Sequence, residues 1–431
     1  MKDVCVIGAG ACGISAIRQL KAAGLDPVCY EKGSDVGGVW RYNNDNGHSA
    51  AYRSLHINTN RYMMAYPDFP MPETYPMFPH HSDIIRYFEA YTTHYELRPH
   101  IRFRTEVQDV SQLPGGGWRV RTDAGTEDFR HVVIANGHHW NPRWPEPPFP
   151  GTFTGEIMHS HSYREVSQVQ NRDVLILGLG NSAADIACEA ARLHTGKVVI
   201  STRSGAYITP NWLLGMPFDS LASPFTAMLP LPLKRLLLYA SLYLARGAQT
   251  SYGVPVPKRP ILTEHPTVSQ DLLPLAGRGQ IRFKPNISRY EGREVYFEDG
   301  SHESFDLIIY ATGYRITFPF LRYEAFDVSA TNELRLYHKV IHPDYPGLYF
   351  AGLIQPLGAI MPLADVQNQW IARLITGQCR LPAPAQMQAT IESDRTNMQK
   401  QYLHRPRHTV QVDFFEYKSL IVREMKKMKT S

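Results

Sequence analysis

The sequence predicts an α/β fold in which one strand–loop–helix–strand unit is built twice, with a helical insertion in the second copy. Two stretches carry this prediction. VCVIGAGACG begins at Val4 and VLILGLGNSA begins at Val174, and in each a short apolar run leads into closely spaced glycines. Short apolar runs bounded by turn residues are typical of the buried strands of a parallel sheet.

Composition sets the outer limits of the interpretation. The chain has 431 residues, of which 43% are hydrophobic, and this is enough for two or three packed domains. The net charge of +5 is spread along the chain, so a nucleic-acid partner is not indicated. The five cysteines show no C-x-x-C spacing and are expected to be buried thiols in a reducing compartment.

The location follows from the ends of the chain and from its apolar segments. Because a predicted apolar strand already begins at Val4, we expect no cleavable leader. The segment from Trp212 to Ala245 is apolar, but prolines and charges interrupt it, so it is not a simple membrane-spanning helix. We therefore predict a cytoplasmic protein.

The first unit has the spacing of a dinucleotide-binding loop. Gly8, Gly10 and Gly13 stand in G-x-G-x-x-G order between a strand and an apolar-faced helix. Such glycines allow a tight turn, a close approach to a pyrophosphate, and tight helix–strand packing. A second strand, Pro27 to Tyr30, leads to Glu31, where a carboxylate can accept hydrogen bonds from ribose hydroxyls.

The second unit repeats the plan with a different ending. Gly178, Gly180 and Ala183 take the glycine positions, and the helix is predicted to stop at Gly196. The next strand, KVVISTR, ends without an acid, and Ser201, Thr202 and Arg203 stand where Glu31 stood in the first unit. Hydroxyls and a guanidinium suit a 2′-phosphate, so NADPH is the predicted ligand. The alternative is that Arg203 is an ordinary solvated residue.

Whole units recur, and they predict the domain organisation. WRVRTDAGTEDFRHVVIANG and REVYFEDGSHESFDLIIYATG share an alternating strand, a glycine turn and an apolar strand that ends in glycine. We predict a Rossmann-like domain from 1–165 and 305–431, interrupted by a second one at 166–304. The second includes the helical insertion at about 206–260.

FAD is the predicted ligand of the first domain, because a nicotinamide must pass its hydride to an acceptor. The GGVW segment after Glu31 offers glycines for close passage and an indole that can lie against a flat ring. Near the C-terminus, a glycine turn at Gly352 and Gly358 precedes a helix predicted from about Ala364 to Thr376. Its N-terminus would favour negative charge on a flavin, although a plain packing helix is the alternative.

Between the two units, FTGEIMHSHSYR has the pattern F-x-G-x-x-x-H-x-x-x-Y-R. This resembles the fingerprint of the flavin-containing monooxygenases, and GAGACG, GGVW, INTNRYMMAYPDFPMP, GLGNSAAD, STRSG, DLIIYATGY and LGAIMPLADVQNQW have counterparts in the same order. Baeyer–Villiger monooxygenases carry Trp at the place of Tyr163. The resemblance makes His159 and Tyr163 positioning residues, and no metal site is expected, since His159 and His161 lack further ligands at a suitable spacing.

The resemblance implies an oxidoreductase that uses NADPH and oxygen to oxidise amine nitrogen and sulfide sulfur through a C4a-hydroperoxyflavin. Asn58 matches the family's active-site asparagine. The full set of predicted cofactor-binding residues is Gly8, Gly10, Gly13, Glu31, Gly38, Val39, Trp40, Asn58, Thr59, Val107, Gly178, Gly180, Ser182, Ala183, Ala184, Asp185, Ser201, Thr202, Arg203 and Gln355.

Alternatives and partners complete the expectations. Ketone oxygenation of Baeyer–Villiger type, or an NADPH oxidase or flavin reductase without oxygen insertion, stays open. The expected partners are a nucleophilic small molecule and molecular oxygen, with a dimer as the expected assembly. The given sequence ends in the basic, amphipathic FFEYKSLIVREMKKMKTS, so we expect no counterpart of the long C-terminal membrane anchor of the animal members. Peripheral membrane contact stays open for the tail and for the insertion.

Overall fold

The computed structural model describes residues 1–193, 196–257, 259–401 and 409–427. These residues form two compact units. The first contains Met1–Ala51, Leu55–Asn141 and Arg315–Ser431, and the second contains Tyr52–Ser54 and Pro142–Tyr314. The compact units thus divide the chain near residues 141 and 314, whereas the sequence prediction placed its domain boundaries at 165 and 304.

The first unit is built on a mixed sheet whose parallel part carries the first glycine loop. The strand Lys2–Ile7 lies between Pro27–Tyr30 and Gly125–Ile134 and is parallel to both. The far end of Gly125–Ile134 is also parallel to Leu348–Phe350, while its near end forms an antiparallel hairpin with Trp118–Thr122. The remaining strands of this unit are Ile101–Arg102, Val107–Gln112, Gln355–Leu357 and Gln411–Asp413.

Helices pack on this sheet, and the packing buries the apolar side chains of both the helices and the strands. The strand Lys2–Ile7 alternates its side chains between two cores, one of which includes Val4 and Val6 and the other Cys5 and Ile7. Such burial on both faces is typical of parallel strands. The helices of the unit are Ala11–Ala22, Arg61–Met64, His81–His94, Met361–Ile375, Pro384–Gln401 and Phe414–Met425.

The C-terminal helix Phe414–Met425 packs on the first unit. Asp413 caps it by accepting hydrogen bonds from the backbone N–H of Phe415 at 3.0 Å and of Glu416 at 3.2 Å. Phe414 and Ile421 are buried in the core of the unit, and Leu420 packs against it. The amphipathic pattern is therefore satisfied by protein contacts over the described part of the tail.

The second unit holds an all-parallel five-stranded sheet. Its order is Arg282–Lys284, Val198–Ser201, Val174–Leu177, Leu307–Tyr310 and Glu156–His159. A second sheet of four strands contains Gly151–Phe153, Ile287–Gly292, Glu294–Phe297 and His302–Ser304. The predicted repeat is confirmed as secondary structure, with one difference. The long strand Gly125–Ile134 of the first unit is broken here into His302–Ser304 and Leu307–Tyr310.

The helix after the second glycine loop spans Asn181–Arg192 and ends before the predicted stop at Gly196. The insertion contains the hairpin strands Trp212–Leu213 and Met216–Pro217, then the helices Pro224–Met228 and Leu231–Arg246. The other elements of this unit are the paired strands Ile208–Thr209 and Thr267–Val268 and the helix Leu272–Gly277. Short strands at Asn141–Pro142 and Tyr314–Arg315 mark the unit boundaries.

In the described parts of the chain, no helix combines the length and the apolar character that a bilayer crossing requires.

Candidate functional site

The first glycine loop has the close contacts that its residues were predicted to allow. Gly8 has a φ of +97°, and a Cβ atom there would lie 2.8 Å from the carbonyl oxygen of Ala135. A Cβ atom on Gly13 would lie 1.8 Å from the carbonyl oxygen of Gly8, so only glycine lets the helix pack against the strand. Gly10 immediately precedes the helix Ala11–Ala22 and leaves its first N–H groups without a side-chain cap.

The GGVW segment lies directly against this loop. The N–H of Gly37 donates to the carbonyl oxygen of Ala9 at 3.1 Å. A Cβ atom on Gly38 would come within 3.2 Å of the Cα atom of Gly10, so the two backbones touch. Gly38, Val39 and Trp40 form one turn of 3₁₀ helix and are half-buried. The structure thus brings Gly10 and Gly38 together, as a close-fitting phosphate cradle requires.

Glu31 is buried at the end of the strand Pro27–Tyr30 and is fixed by two backbone donors. Its Oε2 accepts from the N–H of Ala9 at 2.7 Å, and its Oε1 accepts from the N–H of Gly33 at 2.7 Å. Each carboxylate oxygen can accept a further hydrogen bond. The anchored carboxylate beside the glycine loop therefore fits the ribose hydroxyls of a dinucleotide, and the residues of the first unit fit FAD.

The segment that contains Asn58 is held by backbone bonds on both sides. The N–H of Ile57 donates to the carbonyl oxygen of Pro79, and that of Arg61 to the carbonyl oxygen of Met77, each at 2.9 Å. Asn60 caps the helix Arg61–Met64 through its side-chain oxygen, which accepts from the N–H groups of the first turn. Asn58 and Thr59 are half-buried between these fixed points.

Two other predicted FAD residues lie on different strands of the first unit. Val107 begins the strand Val107–Gln112 and is half-buried opposite Thr122. Gln355 begins a strand parallel to Gln411–Asp413, and its N–H donates to the carbonyl oxygen of Val410 at 2.7 Å. The place of Val107 and Gln355 in the cofactor site rests on the family resemblance.

The C-terminal glycine turn does contact the first loop region. Gly352 has a φ of +75°, and a Cβ atom there would lie 2.1 Å from Sγ of Cys12. The following helix begins at Met361, three residues before the predicted start. Its Asp365 accepts hydrogen bonds from Ser15 and Gln19, each at 2.8 Å, so a buried polar network joins this helix to the helix of the first loop.

The second glycine loop repeats the geometry within its own unit. Gly178 has a φ of +117°, and a Cβ atom there would lie 2.5 Å from the carbonyl oxygen of Ala311. Gly180 precedes the helix Asn181–Arg192 and, like Gly10, provides no side-chain cap. Ala183, in the place of the third glycine, is buried, as is Ala184, while Ser182 is half-buried at the helix start. This helix start fits a pyrophosphate.

The three residues predicted to favour a 2′-phosphate have different environments. Ser201 is buried, and its hydroxyl donates to the carbonyl oxygen of Pro285 at 2.7 Å. Thr202 is half-buried, and its hydroxyl accepts from the N–H of Gly205 at 3.2 Å. Arg203 is exposed at the end of the strand. Arg203 is thus the most accessible of the three and the only one of them with a positive charge, and both properties agree with a phosphate-binding role.

Two buried phenols hold two carboxyl groups of the helix Asn181–Arg192. Tyr163 donates to Oε2 of Glu189 at 2.6 Å, and Tyr52 donates to Oδ2 of Asp185. Burial raises the pKa of Asp185 to about 6. The predicted cofactor residue Asp185 therefore also serves as a structural partner of Tyr52. The sequence reasoning missed both pairs, although the spacing of four residues places Asp185 and Glu189 on one helix face.

The other fingerprint residue, His159, is also built into the fold. Its Nδ1 accepts from the N–H of His161 at 3.0 Å, and the side chain is buried. Burial lowers the pKa of His159 to about 4, so the ring is neutral near pH 7. Both properties agree with a positioning role rather than with acid–base catalysis.

The fold and the sequence have clear relatives. A model of the family "Flavin-binding monooxygenase-like" matches residues 1–429. Flavin-containing monooxygenase 5 of Rattus norvegicus is 36% identical over 96% of this chain and 81% of its own length. Flavin-containing monooxygenase 3 of Macaca mulatta is 35% identical over the same shares.

Solved structures give the same fold. S-allyl-L-cysteine S-oxygenase from Allium sativum has a TM-score of 0.73 and 25% identity, covering 98% of this chain and 88% of its own. The NADP⁺-bound cyclohexanone monooxygenase from Rhodococcus sp. Phi1 also has a TM-score of 0.73, at 18% identity, covering 98% and 96%. At 18% identity, the likeness to the cyclohexanone monooxygenase shows the fold alone. The chain belongs to the flavin-binding monooxygenase-like family and is a flavin-dependent monooxygenase with FAD and NADPH as cofactors.

Proposed function

We propose that this enzyme oxygenates soft nucleophiles, amine nitrogen and sulfide sulfur, at the expense of NADPH and molecular oxygen. The observation that carries the proposal is the placement of Asn58. Its segment is fixed by the bonds of Ile57 and Arg61, and its side chain is a half-buried, uncharged amide. From Ile57 to Met64 the sequence has no carboxyl group and no histidine.

An amide suits this chemistry because it forms hydrogen bonds without acting as an acid near neutral pH. FAD, when bound and reduced, supplies the ring at which oxygen is activated. Activated oxygen must be kept from water and from misplaced protons until a substrate arrives. The amide of Asn58 can donate and accept hydrogen bonds, but it does not release a proton near neutral pH. We therefore assign Asn58 the role of holding the reacting groups without discharging them.

The cofactors are assigned one to each unit. The anchored Glu31 and the touching Gly10 and Gly38 support FAD in the first unit, and the exposed Arg203 supports NADPH in the second. Gly180 and Ser182 would carry the NADPH pyrophosphate at the helix start. The reaction type agrees with the name of the garlic relative, which is an S-oxygenase.

Two other reactions compete with this proposal. Ketone oxygenation has a relative in cyclohexanone monooxygenase, but this chain has Tyr163 where that branch is expected to carry Trp. An NADPH oxidase would reduce oxygen without transferring it to a substrate. Both would use the same two cofactors, so only the fate of the oxygen separates the three.

The deciding experiment measures that fate directly. NADPH consumption, hydrogen peroxide and oxygenated product are recorded with trimethylamine, a dialkyl sulfide and a cyclic ketone. We expect N-oxide or sulfoxide to account for most of the NADPH consumed. Ester as the main product would favour ketone oxygenation. Peroxide formed in equal amount to NADPH with every substrate would contradict oxygen transfer.

The spectrum of the flavin gives an independent test. The NADPH-reduced enzyme is mixed with oxygen, and absorbance is followed without substrate. A species that persists and decays on addition of the sulfide supports oxygenation, whereas direct return to oxidised FAD supports an oxidase.

We also propose a cytoplasmic location and a dimer. The five cysteines, all free thiols, agree with a reducing compartment.

A further inference from the structure

The core of the first unit contains a buried carboxyl group that is held by neutral donors. Asp365, on the helix Met361–Ile375, is 1% exposed. Its Oδ1 accepts hydrogen bonds from the hydroxyl of Ser15 and from Nε2 of Gln19, and its Oδ2 accepts from Nε2 of Gln369, each at 2.8 Å. Among the residues that the structure describes, none forms an ion pair with this carboxyl group. A buried carboxylate without a cation is a group whose charge a nearby event can change.

This carboxyl group lies about one turn behind the starts of two helices. Asp365 is four residues from the start of its own helix at Met361, and its partner Ser15 is four residues from the start of the helix Ala11–Ala22. At 1.5 Å per residue, four residues are about 6 Å along each axis. The start of the helix Ala11–Ala22 belongs to the phosphate cradle of the first glycine loop, where the helix dipole favours negative charge. An ionised Asp365 therefore weakens the positive potential that this cradle presents to FAD.

The same hydrogen-bond network holds the backbone of the cradle. Nδ2 of Asn368 donates to the carbonyl oxygen of Cys12 at 3.0 Å and to the hydroxyl of Ser15 at 3.1 Å. Oε1 of Gln367 accepts from the N–H of Gly352 at 2.8 Å. Hydrogen bonds thus join the glycine-loop helix, the C-terminal glycine turn and the helix that carries the carboxyl group. The distance between this carboxyl group and the cradle is fixed by the fold.

The titratable groups that face Asp365 leave its charge uncompensated. Arg18, on the glycine-loop helix, is paired with Asp68 at 2.5 Å and donates to Oε1 of Gln19 at 3.1 Å. Burial raises the pKa of the Asp365 carboxyl group, its hydrogen bonds lower it by less, and the charge of Asp68 adds to the rise. The other facing groups are phenols whose pKa values burial raises, so they stay protonated: Tyr66, Tyr87 and Tyr91.

Reduction of FAD adds charge close to this group. A hydride carries two electrons and one proton, so its transfer from NADPH leaves the flavin with one more negative charge and yields NADP⁺. A new negative charge near a carboxylate favours protonation of that carboxylate. We propose that Asp365 is a redox-linked proton-binding group: its carboxylate takes one proton from solvent when FAD is reduced and releases that proton when FAD is reoxidised. This inference rests on FAD as the cofactor and not on Asn58 or on the substrate proposed above.

The first test counts protons in the FAD-loaded full chain. Anaerobic reduction by NADPH consumes no proton in its own balance, because NADPH and FAD give NADP⁺ and the singly charged reduced flavin. A pH indicator in unbuffered solution therefore reports only groups whose proton affinity the reduction changes. We expect proton uptake in the parent and a smaller uptake in Asp365→Asn, which keeps an acceptor for Ser15 and Gln19 but cannot ionise. Equal uptake in the two proteins would overturn the proposal.

The second test is the midpoint potential of bound FAD, measured against reference dyes from pH 5.5 to pH 9. At high pH the ionised Asp365 opposes the charge of the reduced flavin, so the parent should have a lower potential than Asp365→Asn. Towards low pH the group becomes protonated in both states of the flavin, and the difference between the two proteins should shrink. A difference of the same size at every pH would contradict a titrating Asp365.

Glu424→Gln is the matched control, because it neutralises another buried carboxyl group of the first unit. Burial opposes the ionisation of Glu424, but hydrogen bonds from His338, Lys427 and Tyr337 outweigh it and lower the pKa to about 2. This group therefore stays ionised in both states of the flavin. Proton uptake in Glu424→Gln should equal that of the parent. The same fall in uptake as in Asp365→Asn would assign the effect to the loss of any buried charge and would contradict the proposal.

Infrared spectroscopy tests the proposal in the parent, also if Asp365→Asn fails to fold with FAD. In protein labelled with carbon-13 at the aspartate carboxyl groups, the reduced-minus-oxidised difference spectrum should gain a protonated-carboxyl band that the label shifts. Gln369→Met removes one donor to Asp365, so this band should change frequency in that variant. No such band, or a band that Gln369→Met leaves unchanged, would overturn the assignment.

The outcome is distinguishable from that of the proposed function. Proton uptake, potential and infrared band are all measured without oxygen and without an organic substrate. A protein that binds the proton on reduction but makes neither N-oxide nor sulfoxide would disprove the proposed function and leave the role of Asp365 standing. A protein that makes sulfoxide but shows equal proton uptake in the parent and in Asp365→Asn would do the reverse.

Discussion

Tyr163 donates a 2.6 Å hydrogen bond to Oε2 of Glu189, which fixes the fingerprint tyrosine to the helix that follows the second glycine loop. The tyrosine is fully buried. The fingerprint therefore has a structural reason within the second unit: it secures the helix whose start is the proposed pyrophosphate site.

We predict that Tyr163→Phe lowers the free energy of unfolding by about 1–3 kcal/mol, because a carboxylate loses its donor. The KM for NADPH should also rise, because the helix that carries the proposed pyrophosphate site is held less firmly. Thermal melting and initial-rate kinetics measure both effects. Tyr243→Phe, which alters an exposed phenol, is the control and should leave both values unchanged. An unaltered melting temperature in Tyr163→Phe would show that the bond contributes nothing.

Asp185 predicts a pH-dependent stability. Burial raises its pKa from 3.8 to about 6, so the folded protein binds this proton more tightly than the unfolded chain does. The contribution to stability is full below about pH 4 and is lost as the pH rises to about 6. By this shift, the ionised group costs about 3 kcal/mol above pH 6.

The variant Asp185→Asn keeps an acceptor for the Tyr52 hydroxyl and removes the charge. It should therefore be more stable than the parent at pH 7.5, and this gain should shrink towards pH 4.5. Urea unfolding across that range measures the gain. A gain of the same size at every pH would contradict an ionisable Asp185 as its source.

Arg203→Ala should raise KM for NADPH about tenfold, equivalent to about 1.4 kcal/mol, and leave KM for NADH unchanged. The reason is the loss of the exposed guanidinium at the end of the strand Val198–Ser201. Arg203→Lys keeps the charge without the bidentate geometry, so its KM for NADPH should lie between those of the parent and of Arg203→Ala. If the preference for NADPH over NADH survives in Arg203→Ala, the 2′-phosphate is bound elsewhere.

Asn58→Ala should uncouple the reaction: NADPH consumption continues, product falls and hydrogen peroxide rises. Asn60→Ala is the matched control two residues away. It removes a helix cap, so it should lower stability by about 1 kcal/mol while the ratio of product to peroxide stays that of the parent. Peroxide and product assays separate the two. The same uncoupling in both variants would assign the effect to the segment as a whole and not to Asn58.

Gly13→Ala should prevent FAD binding, because its Cβ atom would lie 1.8 Å from the carbonyl oxygen of Gly8. The visible spectrum of the purified protein is the measurement. Gly115→Ala, where a Cβ atom would meet no atom within 4 Å, should purify with the parent's yellow colour. A Gly13→Ala protein with full FAD content would disprove the close packing at this loop.

The parts of the fold that were predictable depend on local pattern. Gly8 and Gly13 occupy tight positions that the G-x-G-x-x-G spacing already specifies, and Glu31 follows its strand by register. The family model, the relatives and the solved structures confirm the family and the two-domain fold. The roles assigned to the individual cofactor residues stay predictions.

Other features depend on contacts between distant positions and could not be read from a single sequence. Tyr52 meets Asp185 across 133 residues of chain. The hydroxyl of Ser201 is committed to the carbonyl oxygen of Pro285, which no local pattern indicates. The helix Leu231–Arg246 could be predicted from its composition, but which side faces outward is set by the bonds of Arg235 and Tyr239 to Ile261.

The placement of the cysteines matters for an enzyme that handles oxygen. Cys12 lies next to the first glycine loop, against Gly352, and burial raises its pKa to about 12. Burial likewise raises the pKa of Cys5, Cys29, Cys188 and Cys379. The thiolate is the form that oxidants attack. We therefore expect that any peroxide released during turnover meets protonated sulfur and oxidises these thiols only slowly.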